Sequence, residues 1–359
     1  GLSVVSGLHQ KLIAVNGLRS IADAKKVALV DVRVPPDVHR IASGKKRTGK
    51  RLLTVGTDCC VGKKFTALAV WKALAKQGVD VTFRATGQTG IMISGSGIPV
   101  DAVVSDFLPG VCEYLTPDAG ENHWDIIEGQ GSLFHPAYAA VTLGLMHGSQ
   151  PDLMLLCHDP NRVAIDGFES FPIPAIGDSI RRYEEAARLT NPVARVAGIS
   201  LNTAGINKEK SDRICAEVAE STGLPCFDPL KTSLDALVLD LISEDHGVLL
   251  YSFERIPSNL PGNCKGLILS LLERNLERDP SLILFEWGID SQAKDVIDII
   301  RKKKPNIAKW LIYDLPEEDL EVQRFYREHE FKSYWKQPFS SLVLMDKLQE
   351  ELQDNLEGE

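Results

Sequence analysis

The sequence lacks the features that mark several protein classes. No run approaches the ~18 consecutive apolar residues of a membrane-spanning helix, so no membrane partner is expected. A basic surplus is missing as well: 40 Lys and Arg stand against 49 Asp and Glu, a net charge of −9. That balance argues against a nucleic-acid partner, because such binders present a basic face. The seven cysteines, an odd number at irregular spacings, form neither a disulfide framework nor a zinc pattern. A reducing compartment, most simply the cytoplasm, is expected. The opening Gly1-Leu2-Ser3-Val4-Val5-Ser6-Gly7-Leu8-His9 carries no initiator Met and no basic-then-apolar leader, and reads as cut from a longer protein. What remains is an ordinary globular composition, 44% hydrophobic and 25% charged, over 359 residues. That length suits two or three domains.

Val27–Val32 is a short β-branched run closed by Pro35-Pro36 and predicts a strand. The basic stretch Ser43–Lys50 that follows reads as a linker, a solvated loop rather than an anion site. From Arg51 to Asp245 apolar strands alternate with amphipathic helices. Strands are predicted at Arg51–Val55, Val79–Arg84, Trp124–Glu128, Leu153–Cys157, Val196–Leu201 and Pro225–Phe227, and helices at Lys63–Gln77, Pro136–His147, Ile180–Leu189 and Lys208–Thr222. Such alternation builds βαβ units, hence an α/β fold: a doubly wound, mainly parallel sheet. Past His246 charge becomes denser, and a smaller α/β unit is expected, with strands at Val248–Phe253, Ser281–Trp287 and Ala308–Tyr313 and helices at Gln292–Lys304, Glu317–His329 and Ser340–Asp354. The expected domains are therefore 1–45, 46–245 and 246–359.

The sharpest local signal is a strand running through Gly56-Thr57-Asp58-Cys59-Cys60-Val61-Gly62-Lys63-Lys64 into a helix. Glycines let successive backbone N–H groups turn inward around an anion. The helix N-terminus adds partial positive charge, and Lys63 can reach a phosphate. The spacing departs from the strict phosphate-loop pattern twice. The first Gly position falls on Thr57, and Lys64 stands where a Mg²⁺-ligating hydroxyl is usual, with Thr66 two residues late. A second strand ends in Glu128-Gly129-Gln130-Gly131, placing an acid where related folds hold Mg²⁺. Arg84-Ala85-Thr86-Gly87-Gln88-Thr89-Gly90, continuing to Gly97, suggests a Gly-rich wall beside the ligand. Asp101 and Asp106 suit either a pair positioning an amine or metal, or surface acids. His135 and His158 lie at carboxyl ends of strands, where either a general base or a hydrogen-bonded structural histidine fits. His123 and His147 are expected to be structural. Cys59 and Cys60 sit in a loop that can depress a thiol pKa, or serve as small packing residues.

The loop Gly56-Thr57-Asp58-x-x-Val61-Gly62-Lys63 resembles that of dethiobiotin synthetases. The longer set is more specific. Val4–His9, Asp31-Val32-Arg33, Gly56–Cys59, Ala85–Gly90, Asp101–Phe107, Glu128–Pro136 and Leu201-Asn202-Thr203 in that order resemble D-glutamate N-acetyltransferases over residues 1–245. The resemblance implies acetyl-CoA-dependent transfer of acetyl to the amine of an acidic amino acid, D-glutamate, with Gly56 to Lys64 holding CoA phosphates. Catalytic candidates are His135, His158 and Glu128. Substrate-binding candidates are Arg84, Thr86, Gly87, Gln88, Thr89 and Arg162, the two arginines pairing with carboxylates. It further implies that residues 1–45 are the last part of a Rossmann-like N-terminal domain, and a homo-oligomer is expected. An ATP- and Mg²⁺-dependent synthetase or kinase, with Glu128 on the metal, is the alternative; a nucleotide- or CoA-sensing regulatory protein is a third reading. The tail lies outside the resemblance, although Phe331–Phe339 is similar to the last strand of response-regulator receiver domains.

Overall fold

The computed structural model describes residues 1–234, residues 237, 238 and 241, and four strands beyond them. The chain divides into two compact units, Gly1–Leu234 and Asp235–Glu359. Within the first, strand β1 (Val4–Ser6) pairs in parallel with β2 (Leu29–Asp31), the two joined through helix α1 (Leu18–Lys25). The pattern is a small βαβ unit.

The main sheet holds β3 (Lys50–Gly56), β4 (Val81–Arg84), β5 (Trp124–Ile127), β6 (Leu153–His158), β9 (Arg195–Leu201) and β10 (Cys226–Phe227), with β7 (Ala164–Ile165) and β8 (Phe168–Pro172) forming a separate antiparallel hairpin. Its order is β10-β9-β6-β3-β5-β4, and every pairing is parallel. Strands buried on both faces read as apolar runs, here Leu52, Leu53 and Val55, Ile126 and Ile127, Met154 to Cys157, and Ile199 and Leu201. Seven helices complete the unit: α1 together with α2 (Lys63–Lys76), α3 (Gln88–Ser94), α4 (Leu108–Leu115), α5 (Ala139–Ser149), α6 (Ile176–Arg188) and α7 (Lys208–Thr222). One face of the sheet packs Leu53, Val55, Ile127, Met154, Leu156 and Val196 against α4, α5 and α6. Helix α7 covers Ile199 and Leu201 through Cys215. The fold is the α/β, doubly wound parallel sheet the alternation implies.

Chain order reverses at β3, whose neighbours β5 and β6 both follow it in sequence. Ligands of open parallel sheets sit outside the carboxyl ends of strands at such a point. That places the loops after β3, β4 and β5 together.

The basic stretch before β3 is a mostly exposed loop, as its composition suggests, but one of its cations, Arg47, is buried within the fold. Arg47 donates from Nε to Thr116 O (2.6 Å) and from Nη2 to Gly148 O (2.8 Å) and Ser149 O (3.2 Å). Those carbonyls lie at the carboxyl ends of α4 and α5, where helices leave acceptors unpaired and carry partial negative charge. Lys46 pairs with Asp152 at 2.5 Å. Short-range composition carries no sign of these partners, 69 to 106 residues away.

In the second unit, β11 (Val248–Ser252), β12 (Leu282–Trp287), β13 (Ala308–Tyr313) and β14 (Ser333–Lys336) form a parallel sheet in sequential order. Three of these are the expected strands, and β14 falls inside Phe331–Phe339. The three helices expected there lie outside the described residues. Among the described residues no helix is long and apolar enough to cross a membrane.

Candidate active site

Strand β3 ends at Gly56 and the chain wraps through residues 57–62 before α2 begins at Lys63. Gly62 adopts φ +105°, which a side chain resists, and Cys60 takes the left-handed conformation at φ +56°. The loop is held from behind. Thr57 N–H donates to Cys157 O at 3.1 Å, and Tyr183 donates its hydroxyl to Gly56 O at 2.7 Å. The fully buried Asp58 carboxylate accepts from Arg162 Nη1 (2.6 Å), Asp166 N–H (2.8 Å) and Cys59 N–H (2.6 Å). Among the described residues the N–H groups of Cys60, Val61 and Gly62 have no hydrogen-bond partner. The loop therefore presents free N–H donors in an arrangement that suits an anion.

Lys63 is buried and donates from Nζ to the Asp58 carbonyl at 2.7 Å. Burial pushes its pKa below the usual lysine value, because an ammonium removed from water is costly. An anion in the loop relieves that cost. Thr66, the late hydroxyl, is turned away: its Oγ1 bonds Gly62 O and Ser200 Oγ.

Glu128 follows β5 and is buried. Its carboxylate accepts from the N–H groups of Thr86 (3.0 Å) and Gly87 (3.2 Å). Burial nevertheless raises its pKa, the two hydrogen bonds offsetting only part of the desolvation. Gly90 lies against this carboxylate: a Cβ there would overlap Oε2. Thr86 also donates its hydroxyl to Glu128 O at 2.5 Å, and Gln130 Nε2 donates to that hydroxyl at 3.2 Å.

These groups open on one cavity of about 860 Å³. Of the loop residues expected to hold a cofactor, Cys59, Cys60, Gly62, Lys63 and Lys64 line it, while Gly56, Thr57, Asp58 and Val61 shape it from behind. Of the substrate candidates, Gly87, Gln88 and Thr89 line it. Arg84 instead turns back to Asp125 at 2.6 Å, and Arg162 is spent on Asp58 and Cys59 O. Neither arginine reaches the cavity wall. Glu128 lines the cavity; His135 and His158 do not. His135 is buried, its Nδ1 accepting from Ala137 N–H and its ring set between Tyr138 and Phe168. His158 Nδ1 meets Thr57 Oγ1 at 3.0 Å, and burial lowers its pKa. Burial pushes the Cys59 thiol up to about 11, because desolvation outweighs the nearby Lys63, which leaves the packing role rather than the activated thiol. Asp58, Cys59 and His135 bring ligand atoms within 4.8 Å of one another, but the Asp58 carboxylate is already taken by Arg162 and two N–H groups.

Three residues on the cavity wall had no assigned role or an open one: His9, Arg33 and Asp101. The first two stand just past the carboxyl ends of β1 and β2, and Asp101 lies in the 3-10 turn Val100–Ala102. Arg33 Nη1 contacts Asp101 Oδ2 at 2.5 Å and the His9 ring at 2.7 Å. In the sequence His9 and Arg33 stand out only as members of the family motifs, and Asp101 also as one of a pair of acids with Asp106.

The matches to known proteins fall on this same region. Residues 40–238 match the family model described as a domain of unknown function (DUF1611_C) P-loop domain. A curated relative from Pseudoalteromonas, named D-glutamate N-acetyltransferase, is 49% identical over 67% of this chain and 73% of its own length. The chain belongs to this family. A relative of the same name from Tritonibacter scottomollicae is 45% identical over 66% of this chain and 72% of that one. A crystal structure of a DUF1611 family protein from Anabaena variabilis superposes with a TM-score of 0.63 at 36% identity, covering 67% of this chain and 71% of that one. The chain is thus an enzyme of the N-acetyltransferase class.

Proposed function

We propose that the enzyme transfers the acetyl group of acetyl-CoA to the amine of D-glutamate. The observation that carries this reading is the opening of the anion nest and Lys63 onto the same cavity as Glu128. CoA brings a pyrophosphate and a 3′-phosphate, and the free N–H groups of Cys60 and Gly62 on the cavity wall suit either without cleaving it. Lys63 neutralises the charge of the bound phosphate, and Lys64 supplies a second cation beside it. The names of the two curated relatives support the amine substrate.

Glu128 is the general base in this reading. Its raised pKa brings a carboxylate nearer to the range in which it can take a proton at neutral pH. As the amine nitrogen bonds to the thioester carbon, the nitrogen's proton passes to Glu128, the C–S bond breaks with its electron pair leaving on sulfur, and Glu128 returns the proton to that thiolate, so that CoA departs as its thiol and the carboxylate is regenerated. His135 and His158 keep supporting roles, the first behind the Ala137–Tyr138 wall and the second under Thr57.

The ATP-dependent alternative finds less support. Lys64 occupies the position of the metal-binding hydroxyl, and Thr66 is committed to Ser200. Incubation with acetyl-CoA and D-glutamate tests the proposal through free-thiol release and mass detection of N-acetylglutamate. Tight binding of ATP–Mg²⁺ with no thiol release and no CoA binding would overturn it.

A further inference from the structure

The reading above leaves the acidic substrate without a partner, since Arg84 and Arg162 are both tied down within the fold. The cationic side chains on the cavity wall are His9, Arg33, Lys63 and Lys64. The two lysines belong to the phosphate loop. Arg33 is the remaining strong cation, and it is only partly engaged. Its side chain is 10% exposed, yet among the described residues its Nε is buried with no hydrogen-bond partner. Only Nη1 is occupied, by Asp101 and His9. A buried donor left unpaired costs free energy, and a guanidinium edge is shaped to take both oxygens of a carboxylate.

We propose that Arg33, oriented by Asp101 and His9, is the subsite for the substrate carboxylate farthest from the reacting amine. The proposal rests on the acetyltransfer reading and names the group that selects its acidic amino acid. A carboxylate on the Nε side of the guanidinium satisfies the orphaned donor while Nη1 keeps its bonds to Asp101 and His9. Asp101 fixes the guanidinium plane, and the opposite charge 2.5 Å away offsets the desolvation of Arg33. The segment that supplies His9 and Arg33 is anchored to the core unit. Val32 N–H donates to Ser6 O at 2.9 Å and ties the two strand ends of that segment together, while Gly7 packs against Gln88 and Met92 of α3 so closely that a Cβ there would fall 2.6 Å from Gln88 Cγ. The βαβ unit before the phosphate-loop domain thereby contributes a wall of the site. Selection for an acid follows from its chemistry: an uncharged amide at the same place gives up the charge-assisted hydrogen bond that a carboxylate makes to the guanidinium.

The test compares D-glutamate with D-glutamine on the full chain, by calorimetric binding and by KM. The unmodified protein should favour glutamate at least tenfold, and Arg33→Met should erase that preference while acetyl-CoA affinity stays within twofold. Arg33→Lys should retain part of the preference, and it carries the comparison where Arg33→Met fails to fold. Equal affinity for the two amino acids in the unmodified protein overturns the proposal, as does a preference that survives both substitutions. Equal losses of acetyl-CoA and amino-acid affinity also overturn it, since they mark Arg33 as purely structural. Failure of the acetyltransfer reading looks different: no thiol release with any amino acid, whatever the binding preference.

Discussion

Replacing Lys63 with alanine removes the one side-chain cation of the phosphate loop that is buried against its backbone. In the free protein the ammonium is out of water and bonded only to the Asp58 carbonyl at 2.7 Å, and burial holds its pKa down. Its loss therefore costs the unliganded fold little electrostatic energy, since a poorly solvated charge goes with it. The liganded state is different. A phosphate oxygen in the nest gives Lys63 a charge-assisted hydrogen bond, a contact of about 1.5–3 kcal/mol. Lys63→Ala should raise the Kd for acetyl-CoA about 10- to 150-fold. Titration calorimetry with acetyl-CoA reads this directly, and acetyl-pantetheine, which lacks the phosphates, is the control. Its weaker binding should not change. The protonation sign gives a second readout. A lysine with a lowered pKa is partly neutral at alkaline pH, and an anion raises that pKa again, so binding there should take up protons and weaken as pH rises. An unchanged Kd, or equal losses for acetyl-CoA and acetyl-pantetheine, would refute the assignment of the loop to phosphate.

Three further outcomes follow from the same geometry. Glu128→Gln should lower kcat about 10²- to 10⁴-fold and remove the acid limb of the pH–rate profile. The same change should raise stability above the ordinary glutamate range. A group whose folded pKa is raised loses stability as pH climbs, because the unfolded chain ionises first, and glutamine cannot ionise; urea titrations at pH 4 and pH 7 check this. Gly90→Ala should lower kcat at least tenfold and the melting temperature with it, because the new methyl overlaps the buried Glu128 carboxylate, which Thr86 and Gly87 hold in place, and crowds Ala85 Cβ. Arg47→Met should destabilise the fold by about 3 kcal/mol or more in denaturant titration, since it strands the carbonyls of Thr116, Gly148 and Ser149 at two helix ends.

The phosphate loop was legible because everything it needs is contiguous: an apolar strand, glycines at the turn and a lysine opening a helix. The strands of the main sheet were legible for a similar reason, their burial on both faces writing unbroken apolar runs. The region after β4 was not. Gly87 to Gly97 reads as an irregular wall, yet Gln88–Ser94 is a helix. Gly90 weakens helix propensity there, and only the folded structure shows that the Glu128 carboxylate requires it. Helix α4 carries Pro109 and Gly110 and went unassigned. The proline sits in its first turn, where it is tolerated, and the glycine makes room for the Arg40 backbone. Partners were the other hidden layer. Arg84 and Asp125 stand 41 residues apart, Arg162 and Asp58 104 apart, and no local pattern separates a guanidinium facing substrate from one buttressing a loop.

The charge of the cavity runs against that of the chain. The protein carries −9 overall, but the cavity wall holds Arg33, Lys63 and Lys64 against Asp101 and Glu128. Asp101 is neutralised by its pairing with Arg33, so two lysines face the single Glu128 carboxylate and the site keeps a cationic surplus, with Lys63 already strained by burial. In a loop that cleaves phosphate, a hydroxyl at position 64 would instead recruit a divalent cation, whose charge departs with the product. A lysine there places a permanent charge at the same point and gives no handle for metal. That exchange suits a ligand whose phosphates are held and released intact, with the reacting bond elsewhere in the molecule. On this account Lys64→Thr is a more searching change than Lys64→Ala. Both should weaken acetyl-CoA binding to a similar degree, but only the threonine variant should regain affinity on addition of Mg²⁺. Equal responses of the two variants to Mg²⁺ would mean that residue 64 does not face the phosphate.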